Sequence, residues 1–366
     1  MISSLYKGIH RWLEQTKMVQ SYRKIQSTSG LAKFTVFTRK QTEPQQKFIV
    51  FLCPATNVPQ GGVKVIYNQA ATINKLNGLL NSSVLHPYNP EFSCTWFNHG
   101  ATIKKNLEFD KARDFVIIPE FWAGLHAKLL HDIGVQYGIY VQGGYIIGQT
   151  NSVNRVELDA AYHNAALILA ISDDTVECIK MAFPGCEDKI YRIHGSVNSN
   201  KFVAKTNKEN IICYMPRRLK RHSQLVTFFL HQKIPSHWRI ESIDGLDENG
   251  VAEILGKSKI FLSFSELEGF ALPPIEAALS GCHVIGYTGE GAKEYWNPEI
   301  FTEIHCGDIK AFVKAVLTKI DELDNSQYIP QSAAIKNLAF KYSTQIELTD
   351  MRFISKKIVD ILDLVN

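Results

Sequence analysis

The sequence predicts an α/β protein made of two Rossmann-like, doubly wound parallel-sheet domains that face a cleft. Three observations carry this expectation. Short apolar runs rich in β-branched and aromatic residues recur along the chain with helical patterns between them. Turns bearing glycines or cations follow several of these runs on the way into a helix. A polar stretch near residues 200–208 divides the 366 residues into two parts of ordinary domain size.

Residues 1–47 form a basic extension. Nine cations face only Glu14 and Glu43, a local charge of +7, so the remainder of the chain carries −3 of the +4 total. Ile2, Leu5, Tyr6, Ile9, Trp12 and Leu13 recur at helical spacing with Lys7, Arg11 and Glu14 opposite. Three readings stand: residues 1–24 contact an anionic membrane surface, the helix packs on the body of the protein, or the segment is a poorly ordered arm. Nucleic acid is not implied, because the basic residues are not interleaved with an aromatic platform.

The first domain is expected over 48–203. A strand at 48–53 leads through Gly61-Gly62 into a helical pattern ending at Leu76, and glycines at such a turn let backbone approach a ligand closely. A strand at 114–120, a helix at 121–130 and a strand at 138–142 follow, then the loop Gly143-Gly144-Tyr145. Glu120 either faces the cleft or sits at a solvated helix start. A helix at 156–165, a strand at 166–172 and a helix from Asp173 complete the alternation.

The second domain, 204–345, opens with a strand at 211–215 whose end carries Arg217, Arg218, Lys220 and Arg221. Forked arginine donors and a lysine point charge at a strand end form a candidate diphosphate clamp, with the choice between neighbours open. The strand at 260–264 is expected to end near Ser265 and to pass through Glu268-Gly269-Phe270-Ala271-Leu272-Pro273-Pro274 into a helix holding Glu276, with Gly281 just past its end. Exposed amides at that helix start suit phosphate. The two glutamates suit sugar or ribose hydroxyls, each such bond contributing about 1.5 to 3 kcal/mol when buried. A strand from His283 then reaches Gly289 and Gly291, and the last helical pattern occupies 346–366.

The stretch from Glu268 to Glu276 resembles the Glu-x7-Glu motif of retaining glycosyltransferases of the GT-B fold, especially family 4, with Ala271 where that family usually has glycine. Asn164 to Ser172, Tyr191 to Phe202 and His283 to Glu294 are similar to further segments of the same family, and Gln142 stands where many members carry histidine. The resemblance implies a nucleoside diphosphate sugar donor held mainly by the second domain and a glycan or lipid-linked acceptor held mainly by the first. It assigns Arg217 or Arg218 with Lys220 to the diphosphate and Glu276 to ribose. Glu268 with the amides of Gly269, Phe270, Ala271 and Leu272 takes sugar and phosphate, while Gly61, Gly62 and Gln142 lie opposite and Gly289 and Gly291 line the same crevice. It also implies retention of configuration, cell-surface polysaccharide or glycoconjugate synthesis, and a last helix that crosses back onto the first domain. A non-catalytic sugar-binding module and a nucleotide-sugar epimerase remain the alternatives.

No cofactor is expected, and no metal: neither His-Glu-x-x-His nor Asp-x-Asp occurs. The segment 250–258 has one residue too many between its glycines for a phosphate-binding P-loop. Seven scattered cysteines without a Cys-x-x-Cys pair suit reduced thiols in a cytoplasmic compartment. No apolar run approaches the roughly 18 residues of a membrane span, so any membrane association would be peripheral, on the inner face.

Overall fold

The computed structural model describes residues 32–37, 46–76, 78, 80–148, 155–325 and 333–364. The helix expected within residues 1–14, and the membrane contact expected of residues 1–24, lie outside them.

The first parallel sheet contains β2 (Phe48–Leu52), β3 (Asn81–Leu85), β4 (Ile103–Lys104), β6 (Asp114–Pro119), β7 (Tyr137–Val141), β8 (Leu167–Ala170) and β9 (Ile190–Arg192), in the order β4-β3-β2-β6-β7-β8-β9. Every residue of β6, β7 and β8 is buried, as continuous apolar strands covered on both faces must be. The covering helices are α1 (Gly61–Asn74), α2 (Ala123–Asp132), α3 (Arg155–Asn164) and α4 (Asp173–Ala182). A short parallel pair, β1 (Thr35–Phe37) with β5 (Glu108–Asp110), lies outside this sheet.

β3 has no counterpart in the sequence expectation, because its first three residues are Asn, Ser and Ser. Tertiary hydrogen bonds satisfy that polar start: Ser82 Oγ donates to the Ala70 carbonyl and Asn74 Oδ1 accepts from the Ser82 amide at 2.6 Å.

The second sheet has the order β11-β10-β12-β13-β14, all parallel. Its strands are β10 (Glu209–Tyr214), β11 (Arg239–Ser242), β12 (Ser258–Glu268), β13 (His283–Glu290) and β14 (Phe301–Glu303). They are connected by α5 (Lys220–His231), α6 (Glu248–Lys257) and α7 (Leu272–Leu279), and followed by α8 (Ile309–Asn325), α9 (Ala333–Lys341) and α10 (Thr344–Leu364). β12 corrects one expectation. It runs three residues past Ser265, with an irregularity between Ser265 and Glu268, so Glu268 ends a strand rather than sitting in a loop.

α10 buries Met351, Ile354, Ile358 and Leu362, spaced three or four apart, in the cluster that also holds Val65, Ile66 and Leu169 of the first sheet's layer. Full burial contributes roughly 1.5 to 3 kcal/mol for each such side chain. Ile358→Ala is expected to destabilise the protein by about 2 to 5 kcal/mol, measured as a lower midpoint in urea or on heating.

Candidate functional site

The carboxyl ends of both sets of strands meet at one seam, the usual ligand crevice of open α/β sheets. Three helices start there: α1 after Gln60, α5 after Leu219 and α7 after Ala271. None of the three has a side-chain cap or an acidic residue in its first turn. Two other helices carry side-chain caps: Ser172 accepts from the Thr175 amide at the start of α4, and Asp247 from the Gly250 amide at the start of α6, whereas α2 has none. Helix starts left this way present the positive end of the dipole to the seam, with free N–H groups at α1 and α5; at α7 Pro273 and Pro274 have no N–H, so the amides there are those of the approach to the helix and of Leu272. Leu219, at φ 41°, is a non-glycine residue held in the left-handed region between Arg218 and the first residue of α5.

The two units touch through backbone. A Cβ added at Gly269 would overlap the Gln142 carbonyl oxygen, and one at Gly291 would overlap the carbonyl of Gly269. Gln142 Nε2 donates to the Gly62 carbonyl at 3.2 Å, and a Cβ added at Gly61 would come to 3.4 Å from the Leu272 side chain. Glycine is therefore required at 269 and 291 for steric reasons, whereas a Cβ at 62 would meet only the movable tip of the Gln142 side chain. Gly289, at φ 65°, needs it for backbone conformation as well.

Around this contact the structure assembles most of the expected polar groups. Arg218 Nε lies 3.0 Å from Glu268 Oε1, and Arg217 Nη1 reaches the Pro59 carbonyl of the opposite unit at 3.5 Å. Lys220 is the first residue of α5. Glu276 is buried in α7, and burial pushes its pKa up to about 7, against the pull of Lys64 and Lys201 and with Glu248 adding to the rise. Lys64 and Lys201 both pair with Glu248, a lysine–glutamate–lysine set that links α1 to α6 beside Glu276. Sequence reading missed this set, because its members are 47 and 184 residues apart.

Two expected binding residues turn inward. The Ala271 side chain is buried and its carbonyl accepts from Tyr295 Oη at 2.6 Å; the Phe270 ring packs against Tyr295 and Tyr342. Only their backbone remains to face a ligand, and the extra methyl of Ala271 is absorbed by core. Glu120 fits neither of its two readings. It lies fully buried beneath Gln142 and Gly143, and burial pushes its pKa up to about 8 although the amides of Glu120, Gln142 and Gly143 oppose the shift. Glu294 is an anchor between the units: it accepts from Arg192 at 2.5 Å, Tyr342 Oη at 2.6 Å and the Asp173 amide at 2.8 Å.

Among the described residues no group of three or more His, Cys, Asp or Glu could hold a metal ion, and no helix is long and apolar enough to cross a membrane.

The architecture is the GT-B fold. The chain is similar to sucrose-phosphate synthase of Thermosynechococcus elongatus, with a TM-score of 0.66 at 12% identity over 86% of this chain and 100% of that one. It is also similar to Anabaena HepE solved in complex with UDP, with a TM-score of 0.65 at 12% identity and the same coverage. In sequence it is 26% identical over 303 residues to the alpha-1,6-glucosyltransferase of Actinobacillus pleuropneumoniae serotype 7, covering 77% of this chain and 86% of that protein. No protein-family model matches the chain.

Gly269→Ala tests the backbone contact. It is expected to destabilise the protein by roughly 1 to 3 kcal/mol and to raise hydrogen exchange in both 142–146 and 266–272; an unchanged exchange pattern there would show that the two loops do not bear on each other.

Proposed function

We propose that the chain is a glycosyltransferase that moves glucose from UDP-glucose to a hydroxyl of a glycan acceptor, with retention of configuration. The observation that carries this is the convergence at one seam of uncapped helix starts, arginines and buried or half-buried carboxylates. Helix amides and cations suit a diphosphate, and carboxylates suit the hydroxyls of ribose and hexose. UDP-glucose as donor is supported by HepE, solved also with UDP-glucose, and by the name of the Actinobacillus relative, an alpha-1,6-glucosyltransferase. UDP-glucose is itself α-linked, so an α product means retention.

In this reading Arg217, Arg218 and Lys220, with the amides at the start of α5 and those of Gly269 to Leu272 leading into α7, receive the negative charge that develops on the departing diphosphate. Glu276 accepts from the ribose hydroxyls. Glu268, held by Arg218, accepts from the glucose and fixes its orientation over the Gly269 backbone. The acceptor hydroxyl enters from the Gly62 and Gln142 side and attacks the face that the diphosphate leaves. Because side-chain cations supply the positive charge, turnover is proposed to be independent of metal and insensitive to a chelator. The acceptor belongs, in this proposal, to cell-surface polysaccharide or glycoconjugate synthesis.

Incubation of the protein with UDP-glucose and a glucosyl oligosaccharide should release UDP and lengthen the oligosaccharide by one α-linked hexose. Absence of nucleotide release from UDP-, GDP-, dTDP- and ADP-sugars alike would overturn the enzymatic reading in favour of a binding module. Glu276→Ala should raise the donor KM by about 10- to 100-fold, the equivalent of one buried charge-assisted hydrogen bond.

The pH dependence has a definite sign. Glu276 binds hydroxyls best when ionised, and its pKa lies near 7. UDP-glucose affinity, followed by calorimetry, should therefore rise by up to about tenfold between roughly pH 6 and pH 8. Glu276→Gln should flatten that rise; a slope that survives the substitution assigns it to another group.

A further inference from the structure

β13 ends in an unfavourable way. Gly289 and Glu290 both occupy the left-handed region, at φ 65° and 70°, and only the first is a glycine. Glu290 also pairs in register with Glu268 on β12, so two glutamates occupy neighbouring positions at adjacent strand ends. A non-glycine left-handed residue and a like-charge neighbour each cost stability, and strain of this kind persists where the surroundings impose it, most often at functional sites.

The surroundings of Glu290 have the chemistry of polyol recognition. Lys293 Nζ holds its carboxylate at 2.7 Å, as Arg218 holds that of Glu268 at 3.0 Å, so each acid keeps lone pairs for further donors. Across the seam Tyr145 Oη donates to Asp174 Oδ1 at 2.8 Å, while Asp174 Oδ2 is buried with no hydrogen-bond partner. Burial raises the pKa of both Tyr145 and Asp174, and the charge of Glu290 adds to each rise, as that of a near neighbour does. Glu290 itself is half-exposed.

We propose that Glu290 is a specificity-determining residue: with Glu268 it accepts hydrogen bonds from neighbouring hydroxyls of a hexose lying between the two units. This rests on the glycosyltransferase reading above. The hexose is either the transferred sugar or the terminal sugar of the acceptor, and the experiment separates the two.

The full chain is compared with Glu290→Gly and Glu290→Gln by thermal melting and by steady-state kinetics with UDP-glucose and a glucosyl oligosaccharide. Glycine relieves the backbone and removes the carboxylate, so Glu290→Gly should melt about 2 °C higher. Its kcat/KM should fall by about 10- to 100-fold. Glu290→Gln keeps the strain and one acceptor oxygen, and should melt with the wild type while losing less activity. A rise in donor KM, with loss of UDP-glucose hydrolysis in the absence of acceptor, assigns the transferred sugar; a rise confined to acceptor KM assigns the acceptor. A Glu290→Gly protein with kcat/KM within about twofold of wild type overturns the proposal, as does one that melts lower, since the side chain would then serve the turn itself. Failure of the wild type to turn over any sugar nucleotide removes the underlying reading first.

Discussion

Everything at the seam depends on a contact that tolerates no side chain. Gly269 lies against the carbonyl of Gln142, and Gly291 lies against the carbonyl of Gly269, so three backbone segments from two units are stacked without an intervening Cβ. Glu294 holds that stack closed by accepting from Arg192 and Asp173 of the first unit and from Tyr342 near the start of α10. Arg192 and Glu294 are both largely buried, and a buried pair of this kind is worth keeping only where every remaining proton and lone pair finds a partner. Glu294 gathers three donors for its lone pairs, while Arg192 Nε, buried without a hydrogen bond, lies 3.5 Å from the Asp173 carboxylate. α10 then ties the arrangement together by packing its apolar stripe into the first unit's core after leaving the second.

The electrostatics of the seam follow from what is missing at the helix starts as much as from what is present. The chain contains good caps and uses them at α4 and α6, but leaves α1, α5 and α7 bare where they converge. Uncapped amides beside a buried glutamate form a site with two opposite preferences a few residues apart, one for phosphate oxygens and one for hydroxyl donors. Neither preference alone suggests a nucleotide sugar. Their adjacency does, because that molecule carries both chemistries on one short skeleton.

Sequence and structure contributed differently to this picture, and particular residues show why. The apolar runs at 48–52, 114–119, 137–141, 167–170 and 260–264 were legible as strands because parallel strands buried on both faces must be apolar throughout. β3 was not, since Ser82 and Ser83 are buried only after Asn74 and Ala70 supply hydrogen bonds from a helix outside the strand. The motif from Glu268 to Glu276 was legible as a glycine turn and a proline-led helix, but the strand before it runs on to Glu268 instead of ending near Ser265. The inward turn of Phe270 was not, because Tyr342, which receives its ring, comes from beyond the second sheet. Gly281 was read as the residue past a helix end and adopts φ 81°, a local property that local sequence can specify.

The sequence by itself determined the alternation of strands and helices, the glycines at strand ends and the clustering of cations after β10, because hydrophobic period, turn chemistry and local charge act over a few residues. The tertiary structure alone decided that Lys64, Lys201 and Glu248 form one set, that Glu120 is buried under a loop, that Glu294 joins the units and that Glu290 stands beside Glu268. Each of these depends on which strand lies next to which and on how closely two backbones approach. Those are consequences of chain crossings and steric contact between distant segments, and no short-range pattern encodes them.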